Sequence, residues 1–144
     1  MTATNPLLAK WNTSFELPPF DGINAEHFRE AFDVALNENE AEMVAIAENG
    51  DAATFANTIE AMELSGESLS KVAGTFFNLS GANTNPDLQA IEREMAPKLA
   101  EHSSKIMLNA GLFTRVDALF QGRDSLGLNP VSYTHLTLPT KRIV

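Results

Sequence analysis

Apolar residues return every three or four positions through this chain, in four successive runs, and that period leaves few folds open. Phe28, Phe32, Ala35, Leu36, Met43 and Ile46 make the first stripe. Phe55, Ile59, Met62, Leu69, Val72, Ala73, Phe76 and Leu79 make the second, and Leu88, Ile91, Met95, Leu99, His102 and Ile106 the third. Leu112, Phe113, Val116, Leu119 and Phe120 make the fourth. Side chains three or four residues apart share one helix face, so each stripe describes an amphipathic helix that buries one side. No strand-like alternation occurs before residue 131. The expected fold class is all-α, with about four helices.

Local punctuation places the helix ends. Asn24 is a good N-cap, with Glu26 in the first turn, where the helix dipole favours an acid. Asn49-Gly50-Asp51 ends this helix near residue 48. Thr54 caps the second, which its stripe carries as one long element to about residue 80. Gly66 and Gly74 lie inside that element. Each weakens a helix by ~1 kcal/mol relative to alanine and marks either a close approach or a bend. Asn85-Pro86-Asp87 opens the third helix, because proline at the first position loses no donor. Pro97 should kink it. Asn109 caps a short fourth helix that Gly122 and Gly127 end. Residues 1–23 form a separate, irregular segment broken by prolines. Leu7, Leu8, Trp11, Phe15, Leu17 and Phe20 are too many apolar residues for a free tail, so it is expected to lie extended across a helical surface.

At 144 residues the chain is long enough for one domain with a real core. Its 19 acidic against 10 basic residues give a formal charge of −9. Two of the basic residues, Lys141 and Arg142, close the chain, so the body is more acidic still. Such a surface repels phosphate backbones and anionic lipid, which argues against nucleic acid or membrane as a partner. Cysteine is absent, which excludes disulfides and thiolate metal sites. The first residues lack the pattern of a signal peptide, and no stretch approaches the ~18 apolar residues of a membrane span. A cytoplasmic location is the expectation.

Residues able to do chemistry are present without forming a motif. The histidines are His27, His102 and His135, no two of them four apart, and the zinc signature HExxH is absent. His27 and Glu30 could share a helix face, but one histidine and one carboxylate do not make a zinc site. His102, on an apolar stripe, reads as a packed histidine. The carboxylate pairs Glu38/Glu42, Glu60/Glu63 and Glu63/Glu67 are explained by a solvated helix face. Phe76, Phe77, Phe113 and Phe120 read as core. No catalytic or metal-binding residue is assigned, and the substrate-binding residues are unknown.

Five stretches carry a resemblance: NPLL (5–8), FELPPFDGINAEHFREAFDVAL (15–36), TFANTIEAMELSGESLSKV (54–72), FFNLSGANTNPDLQAIEREMAP (76–97) and LNAGLFTRVDALFQGRDSLGL (108–128). In this order and spacing, residues 5–129 resemble the N-terminal region of the thimet-oligopeptidase family of zinc metallopeptidases, in its peptidyl-dipeptidase branch. The oligopeptidase A branch is the alternative. The resemblance implies residues 24–129 to be part of the N-terminal lobe of a two-lobed, mostly helical enzyme with its substrate channel between the lobes. It implies zinc held through HExxH and a further glutamate, oligopeptide substrates, and release of C-terminal dipeptides. None of the zinc or catalytic positions has a counterpart here. The chain alone is therefore expected to bind no zinc and to be inactive, lacking the C-terminal catalytic region.

The pattern changes at residues 130–144, PVSYTHLTLPTKRIV. Ser132 to Leu136 is what TCTTATACACATCT, the core of a transposase-type sequencing adapter, encodes in frame. The adapter's continuation supplies the threonine, leucine, proline and threonine that follow. This tail is expected to be non-native and disordered, packing on nothing. A competing reading makes the chain a free-standing acidic helical interaction module that docks a partner helix on an apolar stripe.

Overall fold

Side-chain caps set the helix starts in the computed structural model, which describes the backbone of residues 5–143 and the side chains of residues 5–136. Helix α1 is Ala25–Ala47. The Asn24 side chain accepts from the His27 backbone N–H at 3.2 Å, and His27 Nδ1 accepts from the Asn24 N–H at 3.1 Å. This is a reciprocal capping box with histidine in the usual glutamate's place. Asn85 accepts from the Leu88 N–H at 2.9 Å and opens α4, Pro86–Met107. Asn109 accepts from the Leu112 N–H at 3.0 Å and opens α5, Ala110–Gln121. Helix α4 runs through Pro97 as one element.

The second helix departs from the expected single element over 54–80. Thr54 and Asn57 form their own reciprocal box, at 2.8 and 3.1 Å. Behind it a π-helical turn, Ala56–Glu60, leads into the short α2, Ala61–Leu64. Ser65 is then extended and Gly66 left-handed (φ 71°, ψ 23°), after which α3 runs Glu67–Ala82. Gly66 is both a close approach and a break. A Cβ there would stand 2.9 Å from Asn39 Nδ2, and its φ suits glycine alone at no cost. Gly74 has nothing within 4 Å of such a Cβ and marks neither. Among the described residues no strand forms, and the all-α class holds.

The chain divides into two compact units. One joins the described residues up to Asn39 with Gly66–His102. Its core takes Phe28, Ala31, Phe32 and Ala35 from α1, Val72 and Phe76 from α3, and Leu88, Ile91 and Met95 from α4. The Phe76 ring meets Phe28 and Phe32 edge to face, with centroids 5.1 and 5.4 Å away. Leu7 from the N-terminal segment completes the cluster. Buried Asn5 holds that segment by donating to the His27 carbonyl at 2.8 Å, while its side-chain oxygen accepts from the Leu7 N–H. Lys71 donates to the Ala9 carbonyl at 2.7 Å with its ammonium 4.1 Å from the Trp11 ring centroid. The expectation that the whole segment lies on a helical surface fails beyond Trp11. Phe15 is 94% exposed, and Leu17 and Phe20 are also exposed, on a stretch turned by two 3₁₀ turns with left-handed φ at Phe15 and Glu16.

The other unit joins Glu40–Ser65 with the described residues from Ser103 onward. Its apolar cluster is smaller: Ile59 from the π turn, Val116 and Leu119 from α5, and Leu136. Leu136 belongs to α6, Pro130–Ile143, which Asn129 caps by accepting from the Ser132 N–H at 2.8 Å. The expectation that the tail packs on nothing therefore fails at Leu136, which is buried. Leu136 seats on the apolar face of Ile59, Val116 and Leu119.

Candidate functional site

Each histidine is engaged separately. His27 is used by its capping box, and the neighbouring Glu30 carboxylate accepts from Asn5, so this pair serves the N-terminal segment. His102 is buried and donates from Nε2 to Asn39 Oδ1 at 2.8 Å, the packed histidine its stripe implies. His135 Nδ1 lies 3.5 Å from Glu63. The carboxylates of the three glutamate pairs are exposed, as a solvated face requires. Phe76 is core, but Phe77 and Phe113 are about half exposed, which corrects their reading as core.

The most elaborate polar arrangement surrounds a residue that no motif singled out. Arg115, on α5, is 93% buried, being 7% exposed. Its Nη1 donates to the carbonyls of Asn49 at 2.7 Å and Asp51 at 3.0 Å. Its Nη2 donates to Asn57 Oδ1 at 2.8 Å and its Nε to Thr58 Oγ1 at 3.3 Å. The guanidinium thus ties the loop after α1 and the π turn to α5. Asn57 is positioned for this by a second bond, from its Nδ2 to the Ala52 carbonyl at 3.0 Å. Every acceptor here is neutral, so the charge is met by oriented dipoles. The signal in the sequence is position: Arg115 falls on the apolar stripe between Leu112 and Leu119, where a charge needs buried acceptors.

Beside this node an open cleft of about 370 Å³ is lined by Phe55, Ile59, Glu60, Glu63, Leu64, Ser132 and His135. Its walls are mainly apolar, and the exposed Glu60 and Glu63 are among the residues that line it. In the first unit the exposed cations sit among acids. The hydrogen bonds of Arg29 to Glu94 and Glu26 raise its pKa, and the hydrogen bond of Lys98 to Asp33, with Glu94 nearby, raises that of the lysine. These are surface ion pairs, which hold helix neighbours without defining a reaction centre. Among the described residues no group of three or more His, Asp or Glu is placed to hold a metal ion. Among them, too, no helix is long and apolar enough to cross a membrane.

The comparison with known proteins points one way. Dipeptidyl carboxypeptidase of Escherichia coli K12 is 41% identical over 144 residues, all of this chain and 21% of its own length. Its counterpart in Salmonella typhimurium is 39% identical over 142 residues, 99% of this chain and 21% of that protein. Oligopeptidase A of Salmonella typhimurium is 28% identical over 126 residues, 88% of this chain and 18% of that protein. No family model matches. The chain thus spans about a fifth of the length of the curated relatives it matches.

Proposed function

From a kinship with dipeptidyl carboxypeptidase that runs the length of the chain, we propose that this is the N-terminal helical part of a zinc-dependent peptidyl-dipeptidase. The whole protein would release dipeptides from the C-termini of oligopeptides, and the remaining catalytic region would be its intramolecular partner. The observation that carries this is the 41% identity over all 144 residues. The 28% identity to oligopeptidase A, over a shorter span, ranks an oligopeptidase A-type endopeptidase second.

The described residues do not fit the zinc that this activity implies, since no three His, Asp or Glu gather on them. The metal would be held by residues outside this chain, and no step of hydrolysis is derived through these helices. On this reading the chain contributes scaffold: capped helices, a clamped loop at Arg115 and an acidic outer surface. Alone it is inactive. The parent is cytoplasmic, and residues 130–144 include a stretch foreign to it.

The test begins with the genomic reading frame beyond codon 130. The proposal expects it to continue to an HExxH sequence. The protein made from that frame should release C-terminal dipeptides from unblocked oligopeptides, lose this activity to a chelator and regain it with zinc. A natural stop codon after this same tail would refute the proposal, and internal cleavage of the peptides would transfer it to the oligopeptidase A type.

A further inference from the structure

We propose that Asn49-Gly50 is a self-modification site, where the fold itself converts the asparagine to isoaspartate with the help of Arg115. This holds whichever peptidase the whole protein is.

The sequence supplies the reactants. Asn-Gly occurs once in the chain. Glycine has no Cβ to hinder its nitrogen, and Gly50 is exposed. Among the described residues its N–H meets no acceptor. The chain's Asp-Gly pair, Asp21-Gly22, differs at that atom, since the Gly22 N–H donates to the Pro19 carbonyl at 2.9 Å.

The fold supplies two donors. The Asp51 N–H donates to Asn49 Oδ1 at 2.9 Å, which folds the side-chain amide back over the Gly50 peptide. Arg115 Nη1 donates to the Asn49 carbonyl at 2.7 Å, and that carbonyl shares its peptide group with the Gly50 nitrogen. When hydroxide removes the Gly50 amide proton, the negative charge spreads onto the oxygen that faces the guanidinium. The hydrogen bond there strengthens as the charge forms. The nitrogen then attacks Asn49 Cγ, and the charge passes to Oδ1, where the Asp51 N–H receives it. The bond from Cγ to the side-chain nitrogen breaks. That nitrogen takes a proton from water and leaves as ammonia, and a succinimide ring remains. Water opens the ring at the former Asn49 carbonyl carbon, the one Arg115 polarises, and the Gly50 nitrogen recovers a proton. The product is isoaspartate, with a carboxylate on the oxygen that Arg115 already holds. The buried guanidinium, whose acceptors are all neutral, thereby gains a charged one.

The test ages the 144-residue chain in mildly alkaline buffer and maps it by mass spectrometry, beside a synthetic peptide of residues 45–54. Asn49 should convert roughly tenfold faster in the folded chain than in the peptide, the scale of one charge-assisted hydrogen bond, with isoaspartate as the main product. Asp21 should stay unchanged over that time. The Gly50 amide proton, whose base-catalysed exchange passes through the same anion, should also exchange faster in the folded chain by NMR. Arg115→Gln, with helix content checked by circular dichroism, should bring both rates down to those of the peptide. Gly50→Ala, whose Cβ meets nothing within 4 Å, should slow conversion further. Conversion no faster in the folded chain than in the peptide, or aspartate as the main product, would overturn the proposal. So would fast Gly50 exchange that persists in a folded Arg115→Gln chain. The comparison of chain with peptide needs no variant and decides the matter where Arg115→Gln does not fold.

Discussion

Arg115 shows how much one side chain can hold when its acceptors are neutral. Replacing it with alanine takes this donor from the carbonyls of Asn49 and Asp51 and from Thr58 Oγ1, and one of several from Asn57 Oδ1, which keeps the Thr54 N–H. The expected loss is about 3 kcal/mol, the scale of several buried hydrogen bonds to a charged group. Denaturant titration checks this, and Arg115→Lys should recover little, because an ammonium cannot match the planar fork. Lys98 tests the surface pairs. Its folded pKa is raised, chiefly by the hydrogen bond to Asp33, so its contribution is fully present below lysine's ordinary 10.5 and is lost as pH rises through the higher folded value. The melting difference between the wild-type chain and Lys98→Met should therefore stay level from pH 6 to pH 9, close only in stronger alkali, and shrink in high salt. A difference that vanished near neutrality would contradict the assignment. At this scale the caps Asn24, Thr54, Asn85 and Asn109 were legible, since capping is local chemistry within three residues. Arg115's role was not, because its acceptors lie 57 or more positions away in sequence.

Among the elements, Gly66 decides where one helix becomes two. Gly66→Ala meets both an unfavourable φ and a 2.9 Å contact with Asn39, so it should cost about 2 kcal/mol or more. Gly74→Ala, with open space around it, should instead stabilise α3 by up to about 1 kcal/mol. Thermal melts of the two variants should move in opposite directions, and parallel shifts would show that Gly66 is not the break. The periodicity of the second stripe concealed this break because apolar spacing records which face is buried and not whether the axis continues. The π turn was equally hidden. It sits where Asn57 and Thr58 turn to Arg115, a demand set by α5 and not by the segment's own sequence. The tail misled in the opposite sense. Its likeness to a translated adapter led to the expectation that it packs on nothing, yet Leu136 is buried with Ile59, Val116 and Leu119.

For the whole molecule, the feature that matters is how much apolar surface has no cover. Phe15, Leu17, Phe20, Leu64, Leu108 and Val131 are all exposed, with Leu108 at 83%. The 144-residue chain should bind a hydrophobic dye in its native state and self-associate as its concentration rises. Sedimentation that reports a monomer at every concentration, with no dye signal, would count against it. The all-α class and the acidic surface were legible in composition and period alone. The division into two units was not, since α1 and α4 each supply residues to both. That division has a consequence in time. The cluster around Phe76 draws on three helices and the N-terminal segment, whereas the cluster around Ile59 and Val116 is smaller and is closed by a single leucine of the last helix. Local opening follows the weaker packing. A protease added to the folded chain therefore works to a schedule: bonds near Leu64 and Leu108 are cut early, while the segments that build the cluster around Phe76, from α1, α3 and α4, are the last to be digested.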